Sequence, residues 1–337
     1  MKKLSIITAV CATLLLAGCR SCHINAPQYL KSWNTDSYSY KALVNAVENK
    51  WYRDKIAVFD FDGTLFCERD KTYFDWIVAA RYVQDNAEKF AENDIRMASK
   101  VLKKGEIPSW KSEDSSFVYR VWKGASLFEY RAAVSKYMGE DMPGFVNLKR
   151  RDALFKPMLE VIDYLHANGF KVFVCTGTDR WLVRTILGGR IPNENIIGST
   201  FLYAVNGKNV VHCGDVLAKN LDQNKILSIW NEIGNPPSIV FGNSSGDYAM
   251  ATMTRRINWC NCHYVMSNLG VDYDDSRYAG TYYPVFMVMC DDTLRDMGNI
   301  EDAESVHSQC LKNKWIPISV KNDWKTVYGD DIKFHKR

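Results

Sequence analysis

Lys55-Ile56-Ala57-Val58-Phe59-Asp60-Phe61-Asp62-Gly63-Thr64-Leu65 is the stretch on which the fold turns. Ile56 to Phe59 is a short, unbroken apolar run, and a run of that length without polar alternation suits a central parallel strand covered on both faces. Two carboxylates, Asp60 and Asp62, follow at once, and then Gly63. The same arrangement, an apolar strand emptying into a small polar cluster, returns twice. Lys171-Val172-Phe173-Val174-Cys175 delivers Thr176-Gly177-Thr178, and Ser238-Ile239-Val240-Phe241 delivers Gly242-Asn243-Ser244-Ser245-Gly246-Asp247.

Helical patterns stand between these runs. Met158, Val161, Ile162 and Leu165 fall at i, i+3, i+4 and i+7, behind Pro157 and before Gly169, which predicts a helix with its start and stop. A second helix is expected from Asn224, with Ile226, Trp230 and Ile233 on its apolar face and Gly234 as its end. Gly188-Gly189 reads as another helix end. Phe201 to Val205 and Val210-Val211 flank Asn206-Gly207, a hairpin signal. Strands alternating with helices predict an α/β fold with a doubly wound, three-layer parallel sheet, whose ligands sit beyond the carboxyl ends of the strands. All three polar clusters stand at such ends.

From 68 to 150 the texture changes. Tyr73, Phe74, Trp76, Ile77, Ala80 and Tyr82 recur at helical spacings, Phe117, Val121, Trp122 and Tyr130 extend the pattern, and no strand is evident. This segment reads as an inserted helical cap, leaving 51–67 and 151–337 as the core. The length, 337 residues, accommodates two domains of about 150 residues. At 47% hydrophobic and 24% charged residues, with Gly 20 and Pro 9, the composition excludes a collagen, a disordered chain and a disulfide-dense miniprotein. The net charge of +4 comes without a basic run, which speaks against nucleic acid as a partner.

The N-terminus is separate. Lys2 and Lys3 precede an apolar stretch from Leu4 to Ala17, too short to span a bilayer as a helix, and Leu16-Ala17-Gly18-Cys19 ends it. The segment reads as a secretory signal over 1–18. Its end resembles the bacterial lipoprotein signal, in which cleavage falls before a cysteine that then receives a diacylglycerol. That resemblance implies acylation at Cys19, a tether and lead-in helix over 19–50, and a membrane anchor on the extracytoplasmic, periplasmic side. A plain signal peptide with a chance cysteine is the alternative. Of the 10 cysteines, Cys11 leaves with the signal, and the eight besides Cys19 are candidates for disulfides whose connectivity the sequence leaves open. Cys260-Asn261-Cys262-His263 lacks a second ligand pair at a metal-site spacing, and reads as buried or disulfide-linked.

Singly, the three strand-end clusters read as turns with solvated carboxylates or as glycine-serine loops. In order, they resemble the haloacid dehalogenase superfamily of phosphohydrolases, most closely its phosphoserine-phosphatase-like branch. Asp60 to Thr64 is similar to that family's first motif, Thr176 to its second, Lys225 in Asn224-Lys225-Ile226-Leu227 to its third, and Gly242-Asn243 with Gly246-Asp247 to its fourth. The resemblance covers roughly 55–67 and 155–255, and it implies a Mg²⁺-dependent hydrolase of small-molecule phosphomonoesters. Asp60 is then the nucleophile, giving an aspartyl-phosphate; Asp62 is the general acid and base; Thr176 and Gly177 hold the phosphoryl oxygens; and Lys225 supplies positive charge. Asp60, Asp62 through its carbonyl, Asn243 and Asp247 are the implied metal ligands.

Elementary chemistry agrees with those assignments. A phosphomonoester dianion repels an anionic nucleophile, so a carboxylate attacks only where cations neutralise both. An alkoxide leaving group needs a proton, the ordinary duty of a placed carboxylic acid. Two departures stand out. Asn243 is an amide where many relatives have Asp, so Asp247 is expected to be the acidic metal anchor. Arg69 occupies, by counting, the place of the serine-reading glutamate, which tells against phosphoserine; Glu68 beside it is assigned to substrate binding. A phosphotransferase with the same intermediate and a catalytically degenerate phosphoester-binding lipoprotein are the alternative readings.

Overall fold

The structure is a computed structural model that describes residues 25–49, 52, 54–109, 112–254, 257–258, 281–292 and 303–335. The expected signal segment, Cys19 and the Cys260–His263 cluster lie outside these residues.

The strands are β1 (Ile56–Phe59), β2 (Lys171–Asp179), β3 (Ile196–Asn206), β4 (Asn209–Ala218), β5 (Ile239–Gly242), β6 (Ile257–Asn258), β7 (Thr281–Tyr282), β8 (Val285–Met289) and β9 (Ile316–Ser319). Seven form one sheet in the order β4-β3-β2-β1-β5-β8-β9, and β6 pairs with β7 separately. Every neighbouring pair in the large sheet is parallel except β3 with β4. β1 is buried throughout. Because successive side chains point to opposite faces, Ala57 and Phe59 enter one core while Ile56 and Val58 enter another. The first core takes in the helices Tyr38–Val47 and Lys156–Ala167. The second takes Ile229 of the helix Asn224–Glu232, with Val306 and Cys310 of the helix Ala303–Asn313. Helices on both faces of a parallel sheet make this the doubly wound, three-layer α/β fold that the strand pattern predicts.

From β1 the chain winds to β2 and β3 on one side, and later to β5, β8 and β9 on the other. β1 therefore lies where the winding reverses, and a crevice opens at its carboxyl end, the usual place for a ligand in such sheets. Phe59, Phe241 and Phe286 stack across β1, β5 and β8 with ring centroids 4.1 and 5.2 Å apart, fixing the strands below that crevice.

Within the insertion, residues 68–150, the described chain forms the α-helices Phe74–Asp85, Glu92–Lys104, Phe117–Arg120 and Leu127–Met138. Trp76, Phe117, Trp122 and Tyr130 belong to the same continuous core cluster as Phe59, so these helices extend the core instead of closing a core of their own. Among the described residues no helix is long and apolar enough to cross a membrane.

Several local readings are corrected. Within the segment 19–50 the expected lead-in helix is present as Tyr38–Val47, but the described part before it is packed and not a free tether: Trp33 is buried, its Nε1 donating to the Pro157 carbonyl. In the hairpin, Asn206 pairs with Asn209, so the two-residue turn is Gly207-Lys208, with Gly207 at φ +60°. Gly at the first turn position suits a type II′ turn, whose twist matches the strands. In the helix Asn224–Glu232 the buried positions are Lys225 and Ile229, while Trp230 is 50% exposed. The inward face is rotated one residue from the apolar stripe because a lysine, not an isoleucine, must point at the strand ends. Cys67, Cys175, Cys213, Cys290 and Cys310 form no disulfide.

Arg150 is 5% exposed and bridges the end of the insertion to the segment after β1. Its Nε and Nη2 each donate to Asp70 at 2.9 Å, and its Nη1 donates to Glu140 at 2.8 Å. Removing one partner of a buried ion pair leaves charge uncompensated. Asp70→Ala is expected to cost about 3 kcal/mol, read in urea as a lower midpoint at unchanged slope; a change within error would make this pair dispensable.

Candidate active site

Three adjacent strands deliver the site. Asp60 follows β1, its backbone N–H donating to the Phe241 carbonyl of β5 at 2.8 Å. The chain then turns tightly, with the N–H groups of Leu65 and Phe66 both donating to the Phe61 carbonyl. Gly63 sits in this turn at φ +69°, and a Cβ there would lie 2.0 Å from the Asn243 side chain, so glycine is required for both reasons.

Lys225 enters from the first turn of its helix. It is 3% exposed, and its Nζ donates to Asp60 Oδ1 at 2.6 Å and to Asp247 Oδ1 at 2.7 Å. Lys219, the other lysine of this region, stands over the Tyr119 ring, 5.8 Å from its centroid. Asp247 is placed differently from a metal anchor. Its Oδ1 is taken by Lys225, and its Oδ2 accepts the N–H groups of Asn243 at 2.9 Å and Ser244 at 3.1 Å. It holds the lysine and the loop after β5.

β2 carries a register shift between Cys175 and Asp179, the kind of irregularity that re-aims side chains. Thr176 is buried, and its Oγ1 accepts the Thr178 N–H at 3.0 Å. Gly177 and Thr178, not Thr176, line the cavity. Thr178 donates to Asp62 Oδ2 at 2.6 Å, a contact that the sequence reading missed. The cavity above Asp60 has a volume of about 260 Å³, and Asp62, Glu68, Lys225 and Asn243 also line it. Asp75, at the start of the insertion's first helix, lines it too and was likewise not foreseen. Arg69 turns elsewhere, its Nε donating to the Pro143 carbonyl at 3.2 Å and its guanidinium lying 5.6 Å from the Phe145 ring centroid.

The electrostatics follow from carboxylates crowded around one ammonium, with Asp60 and Asp247 buried and Asp62 half-buried. Burial first, then Asp247, pushes Asp60 up to about 8 in spite of Lys225. Burial pushes Asp62 up to about 6, against the opposing hydrogen bond from Thr178. Burial, then Asp62, pushes Asp75 up to about 7. Lys225 is opposed by its own burial, but Asp247 and Asp60 outweigh that and hold its pKa above the usual lysine range. The site carries excess negative charge, and a bound cation would return Asp60 to the ionised form.

The residues fit a hard cation. One terminal atom of the Asn243 amide lies 3.0 Å from the Asp62 carbonyl oxygen and 3.3 Å from Asp247 Oδ2. With nitrogen there it donates to both and to Thr64 Oγ1; turned over, the amide oxygen stands beside the Asp62 carbonyl oxygen, and two such oxygens suit a hard cation. Among the described residues no three His, Cys, Asp or Glu side chains converge as a metal cage. Mg²⁺ needs none, since it keeps several waters and takes one or two carboxylates with other oxygens.

Haloacid dehalogenase-like hydrolases match the chain over residues 57–252, and the chain belongs to that family. Among solved structures it is similar to a protein of unknown function from Bordetella pertussis Tohama I, at 12% identity and TM-score 0.51, covering 79% of this chain and 99% of that one. That likeness is one of fold. A conserved, functionally unknown protein from Anaerococcus prevotii DSM 20548 is 13% identical, with TM-score 0.49 and coverage of 88% and 97%. A probable phosphoserine phosphatase from Vibrio cholerae is 14% identical, with TM-score 0.36 and coverage of 59% and 53%. No curated protein matches in sequence.

The raised Asp62 pKa makes stability depend on pH. A carboxyl whose folded value lies near 6, against an ordinary 3.8, binds its proton more tightly when folded. The stability so gained is complete below about 3.8 and is lost as pH rises through 6. Asp62→Asn, always neutral, is therefore expected to gain stability relative to the parent between pH 4 and 7. Thermal melts across that range read the difference, and a flat difference would remove the shift.

Proposed function

We propose that the protein is a Mg²⁺-dependent phosphomonoester hydrolase working through an aspartyl-phosphate, anchored by Cys19 on the extracytoplasmic side of a bacterial membrane. The observation that carries the reading is the Lys225 Nζ contact with Asp60, 2.6 Å, at the strand end where the winding reverses. Family membership supports hydrolase chemistry, and the crevice supplies its parts.

Asp60 Oδ1 is occupied by Lys225, which leaves Oδ2 to attack phosphorus. Asp62 gives its proton to the departing alkoxide. A carboxyl near 6 suits that duty at near-neutral pH, because it is both protonated often enough and acidic enough. Asp62, now ionised, takes a proton from the water that attacks the aspartyl-phosphate and restores Asp60. Thr178 orients Asp62 for both transfers through its 2.6 Å hydrogen bond. Gly177 and Ser244 line the phosphoryl side, while Lys225 keeps a fixed positive charge beside Asp60. Bound Mg²⁺ would supply the charge that lets a phosphoryl dianion approach a carboxylate. Asp60, the Asp62 carbonyl and the Asn243 amide oxygen would hold it. The insertion's helices stand over the cavity as a cap that selects substrate.

Hydrolysis of p-nitrophenyl phosphate with Mg²⁺ and with a chelator tests the activity. Asp60→Asn is expected to lower turnover about a thousandfold or more, since an amide cannot attack phosphorus and a loss of about 4 kcal/mol gives that factor. Residual turnover above about 1% in a folded variant, about 2.7 kcal/mol, would remove Asp60 as nucleophile.

The anchor rests on Leu16-Ala17-Gly18-Cys19 alone. Cys19→Ala is expected to move the protein from the detergent phase to the aqueous phase on phase partitioning. Unchanged partitioning would rule out acylation at this cysteine.

A further inference from the structure

A second cavity lies between the first two helices of the insertion, Phe74–Asp85 and Glu92–Lys104. Its volume is about 500 Å³, against about 260 Å³ above Asp60, and the two share no lining residue. Pockets of that volume hold whole small molecules. The two helices do not close over the space. Along Glu92–Lys104 only Asp94, Ala98 and Val101 are buried, while Leu102 is half-buried and Ile95 is 38% exposed. Ile95, Ala98 and Leu102 face Ile77 and Val83 across the cavity, so its wall is apolar surface that a ligand would cover.

The charged residues of the wall are Lys71, Arg81, Lys103 and Arg150, with Asp70 as the one acid among them. Their partners decide what is left over. Arg150 is committed to Asp70 and Glu140. Arg81 reaches the same Glu140 oxygen at 3.4 Å and Gln84 at 3.2 Å, both through its terminal nitrogens, and its Nε has no hydrogen-bond partner. Asp85, another acid acting on Arg81, is taken by Lys136 and Tyr137. Lys71 donates to the Lys103 carbonyl at 2.6 Å, which ties down its ammonium without cancelling the charge. With Glu140 counted, two acids face four cations, so the wall keeps an excess of two positive charges. A planar guanidinium held by long contacts is a fork that a carboxylate can fill with both oxygens.

We propose that this cavity binds a single-chain fatty acid anion, with the alkyl chain between Ile77, Ile95 and Leu102 and the carboxylate at Arg81. A neutral hydrocarbon would leave the surplus cations without a counter-charge. A small inorganic anion would leave the apolar wall uncovered, and a cationic ligand would be repelled. An amphiphile with one negative end answers both features of the wall. The inference is independent of the chemistry at Asp60.

Isothermal titration of the full chain with decanoate, kept below its micelle concentration, tests the site. Decanoate is expected to bind about tenfold or more tightly than 1-decanol, which has the chain without the charge, and than acetate, which has the charge without the chain. Arg81→Gln should bring decanoate to the affinity of 1-decanol. Ile95→Glu, at an exposed position, sets a negative charge on the apolar wall and should weaken decanoate about tenfold or more. If Arg81→Gln does not fold, Lys103→Gln, also at an exposed position, takes its place with the same direction expected. Absence of saturable decanoate binding to the parent chain overturns the proposal, and so does an affinity no higher than that of 1-decanol or acetate. Decanoate affinity unchanged in either folded variant places the ligand elsewhere on the chain and overturns the assignment to this cavity.

Discussion

One buried ammonium holds the site together. Lys225 Nζ reaches Asp60 at the end of β1 and Asp247 in the loop after β5, and both carboxylates are buried with it. Without it, two like charges would face each other in a space that solvent does not screen, and the β5 loop would lose its hold on the strand beside it. The contact also explains the local sequence. The helix from Asn224 must start where it does so that its second residue points inward, and Gly242 must lack a side chain because a Cβ there would meet Asp247 at 2.7 Å. Breaking such a pair from one side is costly, since the partner left behind is an unpaired buried charge.

The pair does not neutralise the site, and the excess has consequences. Asp60, Asp62 and Asp247 outnumber Lys225, and Asp60 and Asp62 are pushed upward by burial in spite of it. A site with surplus negative charge favours whatever brings positive charge to it. An amide at Asn243, where the resemblance led one to expect an acid, lowers this surplus by one unit while keeping an oxygen that a hard cation accepts. The loop after β5 is thus divided by task. Asn243 faces the turn after β1, 3.0 Å from the Asp62 carbonyl, and Asp247 faces the lysine.

What the sequence made legible was local. β1, β2 and β5 are short apolar runs that end in polar clusters, and a buried parallel strand declares itself in that way. β8 carried the same apolar signal in Val285–Met289 and passed unread because no cluster of functional residues follows it. The helix Asn224–Glu232 was located correctly but turned by one residue. A hydrophobic-stripe argument assumes that charge lies outside, and here the charge is the buried element. The same inversion hid Thr178, Asp75 and Asp179. Their importance comes from which elements the fold brings together, and no spacing along the chain records that. Asp247 was found as a residue, yet its partners, a lysine and two backbone amides, became visible only once the loop's path was known.

The insertion's packing bears on how the cavity wall is held. Trp76, Ile77, Val78, Ala79, Ala80 and Val83 are all buried on the helix Phe74–Asp85, within the cluster that also contains Phe59 of β1. Asp75 therefore stands on a helix anchored in the sheet's own core, one residue from a buried tryptophan. A group so placed keeps a fixed position in the cavity wall. Asp179 is held in the same way by a helix start and by Tyr130, and Tyr130 in turn packs edge-on against Trp122, centroids 4.7 Å apart, within the insertion. Strand ends and inserted helices are thus joined by the Tyr130 hydrogen bond to Asp179 and by the Tyr130 ring against Phe201 of β3, centroids 6.0 Å apart. The end of β2 and the inserted helices pack into the same core cluster as Phe59 of β1, so the cavity wall and the stability of the fold are constrained by the same side chains.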